Sequence, residues 1–265
     1  MSNITENSNP ILETCKRNKL GLIGFPLGHS FSARYFNAKF KDLGLKEWKY
    51  ENFPIENIDS VVEVIKNNPT LRGFNVTIPH KLAIIPYLSH IDESAAKIGA
   101  VNCVEILPNG ELKGYNTDCI GFRLSLEDML NTKETTIFKA LVLGTGGASR
   151  AVVVALEQLG IEYKLISRRA SEGVLSYKEL TDEILESSKI IINTTPLGMS
   201  PKLEGIPSIN YNVIGKNHFL FDLIFNPSET RFMYEGRKRG ATVKNGYEML
   251  VGQAEAWWKI LEVRN

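Results

Sequence analysis

A glycine-rich turn is the clearest chemical signal in the sequence. The apolar run at residues 141–143 is typical of a buried strand, and GTGGASR follows it at positions 144–150. The next residues keep one face apolar, which is typical of a helix. A strand, a glycine-rich turn and a helix N-terminus together bind the pyrophosphate of a dinucleotide, because small residues let backbone N–H groups approach the phosphates. The candidate contacts are Gly144, Thr145, Gly146, Gly147 and Ala148. A sterically required turn without a ligand is the alternative.

A basic segment follows the next predicted strand, at residues 163–166. It contains Ser167, Arg168 and Arg169. An acidic residue at this strand end usually binds the ribose 2′-hydroxyl of NAD, whereas an arginine accommodates a 2′-phosphate. The sequence therefore predicts NADP as the cofactor. Glu172 is the nearby residue that favours NAD, and a solvated basic turn is the alternative without a ligand.

Composition narrows the class of partner. The 265 residues include 31 basic and 30 acidic side chains, which gives a net charge of +1. This balance argues against nucleic acid or an anionic membrane as partner and favours a small molecule. No apolar run approaches the roughly 18 residues of a membrane helix. The first 19 residues lack the apolar centre of a secretory signal, so we expect a cytoplasmic protein.

The cysteines and histidines give no metal-binding pattern. Cys15, Cys103 and Cys119 are widely spaced, without a CxxC pair, and are expected to be reduced thiols. The four histidines form neither an HExxH motif nor a cluster with cysteine. We therefore expect no structural metal.

Short apolar runs alternate with amphipathic stretches, which indicates the α/β class. The predicted strands are 20–24, 49–53, 73–76, 140–144, 163–166, 190–193, 219–222 and 242–244. The predicted helices are 33–43, 58–67, 117–130, 148–159, 229–239 and 245–263. Two short runs between residues 101 and 115 flank Pro108-Asn109-Gly110, which predicts a hairpin.

Polar segments lie at or near the ends of several of these elements, at residues 28–32, 75–81, 99–102 and 116–118, with Gln253 in the last helix. Strand ends of an open α/β sheet line one crevice, so these groups could converge there. They offer hydroxyls, amides, one ammonium and one carboxylate. This set suits a small polyhydroxylated ligand.

Eight segments, taken together, resemble the shikimate dehydrogenase family. They are GFPLGHSFS, FNVTIPHK, GAVNC, YNTDCIGF, LGTGGASRA, NTTPLGM, FDLIFNPSETRF and GYEMLVGQA, in the family's order between residues 24 and 254. The resemblance implies an oxidoreductase that reduces 3-dehydroshikimate to shikimate with NADPH, in the pathway leading to aromatic amino acids. It also implies an N-terminal α/β substrate domain and a C-terminal Rossmann-type dinucleotide-binding domain. We place the substrate domain at residues 1–123, joined by a returning helix at 245–265, and the NADP-binding domain at residues 124–244.

The resemblance implies that Lys81 and Asp118 form the catalytic acid/base pair. Hydride arriving at a ketone carbon creates an alkoxide that a nearby acid must protonate. A lysine ammonium can donate near neutral pH, and an adjacent carboxylate orients it. Which of the two moves the proton stays open. Taken alone, Lys81 would be a surface lysine and Asp118 a helix cap.

The resemblance also implies the substrate and nicotinamide contacts. Ser30 and Ser32 match residues that bind the substrate carboxylate, although either serine could instead cap the helix at 33–43. The residues implied for the ring hydroxyls are Asn75, Thr77, Asn102 and Gln253, and those that border the nicotinamide are Met199 and Gly246. Family members usually carry tyrosine at the position of Phe225, threonine at Cys103, and NRT where residues 167–169 read SRR.

Two other functions remain open. One is a quinate or shikimate dehydrogenase that uses NAD, and the other is a ligand-sensing protein that keeps the fold without doing chemistry. Retention of both Lys81 and Asp118 argues against the second. A monomer and a homodimer are equally compatible with the sequence.

Overall fold

The computed structural model describes residues 18–28, 30–130 and 138–262. Its strands are β1 (Lys19–Gly24), β2 (Lys49–Pro54), β3 (Leu71–Val76), β4 (His90–Ile91), β5 (Cys103–Ile106), β6 (Leu112–Tyr115), β7 (Lys139–Leu143), β8 (Glu162–Ser167), β9 (Val174–Ser176), β10 (Ile190–Asn193), β11 (Phe219–Asp222) and β12 (Thr242–Lys244). Its helices are α1 (Phe31–Asp42), α2 (Val61–Lys66), α3 (Glu93–Ile98), α4 (Asp118–Leu130), α5 (Gly147–Gln158), α6 (Asp182–Ser187), α7 (Arg231–Lys238) and α8 (Tyr247–Glu262). The contacts divide the chain into two compact units, the first ending at Asn116 and the second beginning at Thr117.

The first unit is built on a mixed sheet with the strand order β2-β1-β3-β5-β6-β4. β1 is parallel to β2 and β3, whereas β5 runs antiparallel to both β3 and β6. The β5–β6 hairpin confirms the one predicted between residues 101 and 115. One face of this sheet packs a core that includes Ile23, Phe74 and Val104, all fully buried. The ends of β1 and β3 therefore have fixed positions.

The second unit is built on a parallel sheet with the order β12-β11-β10-β7-β8-β9. Its central strands β7 and β10 are almost entirely apolar and buried, as expected for parallel strands covered on both faces. Counted from β7, this is the 3-2-1-4-5-6 order of a dinucleotide-binding sheet, and the order reverses between β7 and β10. The predicted α/β class and Rossmann-type domain are confirmed.

Helices α4 and α8 pack against each other within the second unit. Gly121 lies at their crossing, where a Cβ atom would come within 2.3 Å of the Met249 carbonyl oxygen. A larger residue at this position would push the helices apart. The division at residues 123 and 124 and the attachment of helix 245–265 to the substrate domain stay predictions.

Several predicted elements differ from the structure at their ends. The helix predicted at 58–67 is divided into a 3-10 turn at Ile58–Ser60 and the short helix α2. Helices α3 and α6 were not predicted, because six residues are too few to establish a helical period. The last helix ends at Glu262, and residue 263 of its predicted range lies outside the described residues.

Metal and membrane features can be reported for the described ranges only. There, no helix combines the length and apolarity needed to cross a membrane. The same ranges contain no group of three or more His, Cys, Asp or Glu side chains placed to hold a metal ion. Cys103 and Cys119 are buried thiols that form no disulfide, and Cys15 lies outside the described residues.

Candidate functional site

The glycine-rich turn joins β7 to α5. Gly144 has a φ of +111°, a conformation that favours glycine, and a Cβ atom there would lie 2.7 Å from Thr194 Oγ1. Cβ atoms on Gly146 and Gly147 would meet only open space. Gly146 is the N-cap of α5 and provides no side-chain cap. The first-turn amides of α5 therefore face a space that an anionic group can enter.

Ser149 replaces the third glycine of the GxGxxG pattern. Its hydroxyl donates to the carbonyl oxygen of Gly146 at 2.6 Å, and the side chain is buried. The substitution is therefore accommodated by a local hydrogen bond within the first turn of α5. The turn keeps its form without the third glycine.

A cavity of about 460 Å³ lies beside this turn. Its lining residues come from the carboxyl ends of β7, β8 and β10 and from the segment after β9; they are Gly144, Thr145, Gly146, Ser167, Arg168, Tyr177, Thr194, Thr195, Pro196 and Leu197. The cavity therefore lies where the strand order of the sheet reverses. Ligands of open α/β sheets bind at this position.

Three hydroxyl side chains in the cavity wall differ in their hydrogen bonding. Thr194 Oγ1 donates to the Leu143 carbonyl oxygen at 2.8 Å, and Thr195 Oγ1 donates to Asn193 Oδ1 at 2.6 Å. The Tyr177 hydroxyl is buried from solvent and has no hydrogen-bond partner among residues 18–28, 30–130 and 138–262. Burial raises the pKa of Tyr177, so the phenol is protonated and can donate. Because solvent does not reach this hydroxyl, it is not presented to a ligand in the cavity, and Tyr177 packs against the apolar core of the second unit.

The other predicted cofactor residues also belong to the second unit, and they differ in exposure. Arg168 and Arg169 are exposed at the end of β8, and Arg168 lines the cavity. Met199 is 45% exposed on the loop that follows β10. Gly246 packs so closely on the loop after β11 that a Cβ atom would lie 2.1 Å from the Leu223 carbonyl oxygen.

A buried tyrosine organises the predicted substrate residues of the first unit. Tyr50 Oη donates to Asn75 Oδ1 at 2.7 Å, and Asn75 Nδ2 donates to Cys103 Sγ at 3.2 Å. Ser32 also forms a hydrogen bond with the Tyr50 hydroxyl, and Phe36 stacks on its ring at 5.0 Å. Burial raises the pKa of Tyr50 well above its usual value, so it remains a neutral phenol. Ser32 and Asn75 are thus brought together, and Tyr50 was not predicted.

Ser30 caps helix α1. Its Oγ accepts a hydrogen bond from the backbone N–H of Ala33 at 3.2 Å, so the capping interpretation is confirmed for Ser30. The hydroxyl hydrogen is still available to a ligand, because a hydroxyl can accept and donate at once. A substrate contact by Ser30 stays a prediction.

Thr77, Lys81 and Asn102 lie around the end of β3. Asn102 is buried, its carbonyl oxygen accepts from Val76 N at 2.8 Å, and Lys81 and Thr77 are half-buried. The Lys81 carbonyl oxygen accepts from Val101 N at 2.9 Å. These backbone bonds tie the segment after β3 to the segment before β5, so the structure places three predicted residues in one part of the first unit.

Asp118 and Gln253 belong to the second unit. Asp118 is the first residue of α4, and the preceding Thr117 is fully buried. Thr117 Oγ1 donates to Gln253 Oε1 at 3.3 Å, and Gln253 Nε2 donates to the Leu250 carbonyl oxygen at 3.1 Å. Residues 117 and 253 therefore join the start of α4 to α8. The pairing of Lys81 with Asp118 and their catalytic roles stay predictions.

Asp222 is a fully buried carboxylate at the end of β11. Burial raises its pKa to about 6, although hydrogen bonds from Thr230, Ile224 and Asn193 act in the opposite direction. Tyr211 is the titratable neighbour whose own pKa this carboxylate raises, and a tyrosine does not titrate near neutral pH. Asp222 is thus ionised at pH 7 and takes up a proton on mild acidification.

This raised pKa has a measurable effect on stability. Because an unfolded aspartate has a pKa of about 3.9, the native state binds the proton first as the pH falls. The free energy of unfolding of the wild type, relative to that of Asp222→Asn, should therefore increase by about 1 kcal/mol between about pH 8 and about pH 5. Denaturant titrations of both proteins at the two pH values measure this difference. A difference that stays constant with pH would contradict the raised pKa.

Comparisons with known proteins identify the family. A family model described as the shikimate dehydrogenase substrate binding domain matches residues 22–104. A shikimate dehydrogenase (NADP(+)) of Methanosphaera stadtmanae is 38% identical, and the match covers 88% of this chain and 87% of the relative. The chain belongs to the shikimate dehydrogenase family.

Solved structures of shikimate dehydrogenases share the fold. One, a complex with NADP+, superimposes with a TM-score of 0.82 at 34% identity, covering 93% of this chain and 90% of that one. Another, from Thermus thermophilus, is a complex with NADP(H) and shikimate; its TM-score is 0.78 at 28% identity, and 92% of each chain is covered. The predicted family resemblance is thereby confirmed.

Some residues around the site are not among those that the sequence analysis names as functional. In the second unit they are Tyr177, the wall residues 194–197 and Asp222; in the first unit Tyr50 is the main one. The segments NTTPLGM and FDLIFNPSETRF contain several of them, so a signal was present at residues 193–199 and 221–232. Tyr177 follows a three-residue strand, and Tyr50 lies in β2, where neither pattern nor motif distinguishes it.

Proposed function

We propose that this chain is an NADP-dependent shikimate dehydrogenase that interconverts 3-dehydroshikimate and shikimate, in the pathway leading to aromatic amino acids. The observation that carries the proposal is the cavity at the reversal of strand order, which combines a glycine-rich turn with Arg168. The names and bound ligands of relatives support it, since one structure is a complex with NADP(H) and shikimate.

The residues of the second unit fit an NADP molecule. Gly144 permits the tight turn, Gly146 and Gly147 leave room for a pyrophosphate at the start of α5, and Arg168 provides a guanidinium for a 2′-phosphate. Ser167 and Arg169 flank that arginine. The segment containing Met199 and the segment containing Gly246 are proposed to border the nicotinamide. When bound, the nicotinamide ring supplies or accepts the hydride.

Lys81 and Asp118 are proposed to handle the proton. Reduction of a ketone leaves an alkoxide oxygen, and the ammonium of Lys81 is a suitable donor at neutral pH. The Asp118 carboxylate would orient the ammonium and favour its charged form. Ser30 and Ser32 are proposed to bind the substrate carboxylate, and Asn75, Thr77, Asn102 and Gln253 its hydroxyl groups.

A direct assay tests the proposal. The purified chain should reduce NADP+ in the presence of shikimate, followed by absorbance of the reduced nicotinamide. Parallel reactions with NAD+ and with quinate separate the proposed activity from the quinate or NAD-dependent alternative. Binding of NADP+ without turnover of any of these substrates would instead favour a ligand-sensing protein.

Tyr177→Phe tests whether the buried tyrosine hydroxyl behind the cavity wall contributes to stability or to cofactor binding. The buried hydroxyl lacks a partner among the described residues, so its removal should leave the ligand-free melting temperature unchanged or higher. The same change should leave the Kd for NADP+ within about 2-fold of the wild-type value, because a hydroxyl that solvent does not reach makes no hydrogen bond to a ligand in the cavity. Calorimetric titration and thermal melts measure the two effects. A lower ligand-free melting temperature would show that the hydroxyl has a hydrogen-bond partner, and a Kd raised by about 5-fold or more would show that it contacts the cofactor.

A further inference from the structure

A buried hydrogen-bond network lies behind the wall of the cofactor cavity. At its centre, Asp222 Oδ1 accepts from Asn193 Nδ2 and from the backbone N–H of Ile224, both at 3.0 Å. Asp222 Oδ2 accepts from Thr230 Oγ1 at 2.6 Å. Three donors satisfy a carboxylate that is fully removed from solvent. Since burying an ionised carboxylate is costly, its presence here calls for a reason beyond packing.

The network reaches the cavity through the side chain of Asn193. Asn193 and Asp222 are neighbours in the parallel register of β10 and β11. Asn193 Oδ1 accepts from both the backbone N–H and the hydroxyl of Thr195, at 3.0 and 2.6 Å. Thr195 Oγ1 in turn accepts from the backbone N–H of Leu197 at 3.3 Å. Residues 195–197 form part of the cavity wall.

The carboxylate determines which way the Asn193 amide faces. A carboxylate only accepts hydrogen bonds, so it selects the NH₂ end of the amide and leaves Oδ1 facing the two donors of Thr195. With the amide reversed, its NH₂ group would face the backbone N–H of Thr195 and its oxygen would face the carboxylate, so the bonds to Thr195 N and to Asp222 would both be lost. The conformation of the wall segment 195–197 therefore depends on an acceptor at position 222.

We propose that Asp222 is a positioning residue for cofactor binding, which acts through the Asn193 amide to hold residues 195–197 in the conformation that binds a dinucleotide. The inference rests on the proposed function, because it takes the cavity as the NADP site. Asp222 touches neither cofactor nor substrate in this scheme. Its effect is on the shape of the wall.

The other branch of the network provides a matched control. Thr230 is the N-cap of α7, and its Oγ1 accepts from Met233 N at 3.4 Å while donating to Asp222. Thr230→Val removes one hydrogen bond from the carboxylate and the cap from α7, but it leaves the contacts among Asp222, Asn193 and Thr195. It should lower the melting temperature without changing the affinity for the cofactor.

The experiment compares Kd values for NADP+, measured by calorimetric titration at a temperature where every variant is folded. Asp222→Ala should raise the Kd by about 10-fold or more, the effect expected when hydrogen bonds to a charged group are lost. The KM for shikimate should change by less than about 2-fold, because the residues proposed to bind shikimate do not include the wall segment 195–197. Asp222→Asn keeps an acceptor for the Asn193 NH₂ group and should restore most of the affinity.

A second variant tests whether Asp222 acts through the Asn193 amide. Asn193→Ala leaves Thr230 and Ile224 on the carboxylate, and it should raise the Kd as much as Asp222→Ala does. The double variant should be no worse than either single one, because both residues act along one path. If Asp222→Ala does not fold, Asn193→Ala and Asp222→Asn still provide the comparison.

Each outcome has a defined meaning. An unchanged Kd in Asp222→Ala or in Asn193→Ala, or an equal rise in Thr230→Val, would overturn the positioning role while leaving the proposed function intact. Additive effects of Asp222→Ala and Asn193→Ala would overturn the single path. If wild-type protein did not bind NADP+ at all, the proposed function would fail first, and the inference with it.

Discussion

Lys81→Ala is expected to lower turnover of shikimate by about two to four orders of magnitude, the scale of a lost positioned acid or base. The Kd for NADP+ should stay within about 2-fold of the wild-type value, because the residue is proposed to act on the substrate oxygen and not on the cofactor. Steady-state kinetics together with calorimetric titration of NADP+ separate the two quantities.

Lys81→Arg is the variant to compare with Lys81→Ala. It keeps a positive charge but cannot lose a proton near neutral pH, so it should recover substrate affinity better than turnover. Asp118→Asn should reduce turnover as well, and the pH dependence of the remaining activity would show which of the two groups moves the proton. Turnover near the wild-type level in Lys81→Ala would exclude Lys81 from the mechanism.

Arg168→Ala is expected to raise the KM for NADP+ by about 10- to 100-fold. A guanidinium forms a two-pronged, charge-assisted contact with a phosphate, and the loss of such a contact costs about 1.5–3 kcal/mol. The KM for NAD+, which has no 2′-phosphate, should change by less than about 3-fold. The ratio of the two effects, measured in parallel assays, gives the specificity that Arg168 contributes.

Arg169→Ala is the matched control, since it is also exposed, carries the same charge and follows directly in the chain. It should raise the KM for NADP+ by less than Arg168→Ala does, because Arg168 lines the cavity and Arg169 is not among its lining residues. Equal losses for NADP+ and NAD+ in Arg168→Ala would mean that the side chain supports the turn and does not recognise the 2′-phosphate.

The sequence predicts those elements well whose pattern lies within a few neighbouring residues. Strands β7, β10 and β11 are recognised as short apolar runs. The turn after β7 is recognised from its glycines, which allow a tight turn and a close approach of phosphate. Short elements such as α3 and α6 are set by their caps, Asp92 and Thr181, and by packing, which no period reveals. The 3-10 turn before α2 similarly follows an Asn57 cap that the apolar pattern does not register.

The candidate site is less predictable, because its residues meet through strand register. Asn193 and Asp222 are neighbours only because β10 and β11 pair in parallel with those two residues opposed. Tyr50 and Asn75 come together from β2 and β3, which are separated by β1 in the sheet. Neither pair can be found from spacing along the chain, since the intervening segments have no fixed length requirement.

The central position of β7 has a consequence for biosynthesis. β7 pairs with β8, which follows it closely, and with β10, which begins only at Ile190 after β8, β9 and α6 have been made. Until β10 is available, one edge of β7 exposes the unpaired backbone of an almost entirely apolar strand. Such edges template pairing with other chains. A nascent or truncated polypeptide that ends between β9 and β10 is therefore the species most prone to aggregate, and the one on which a chaperone would act.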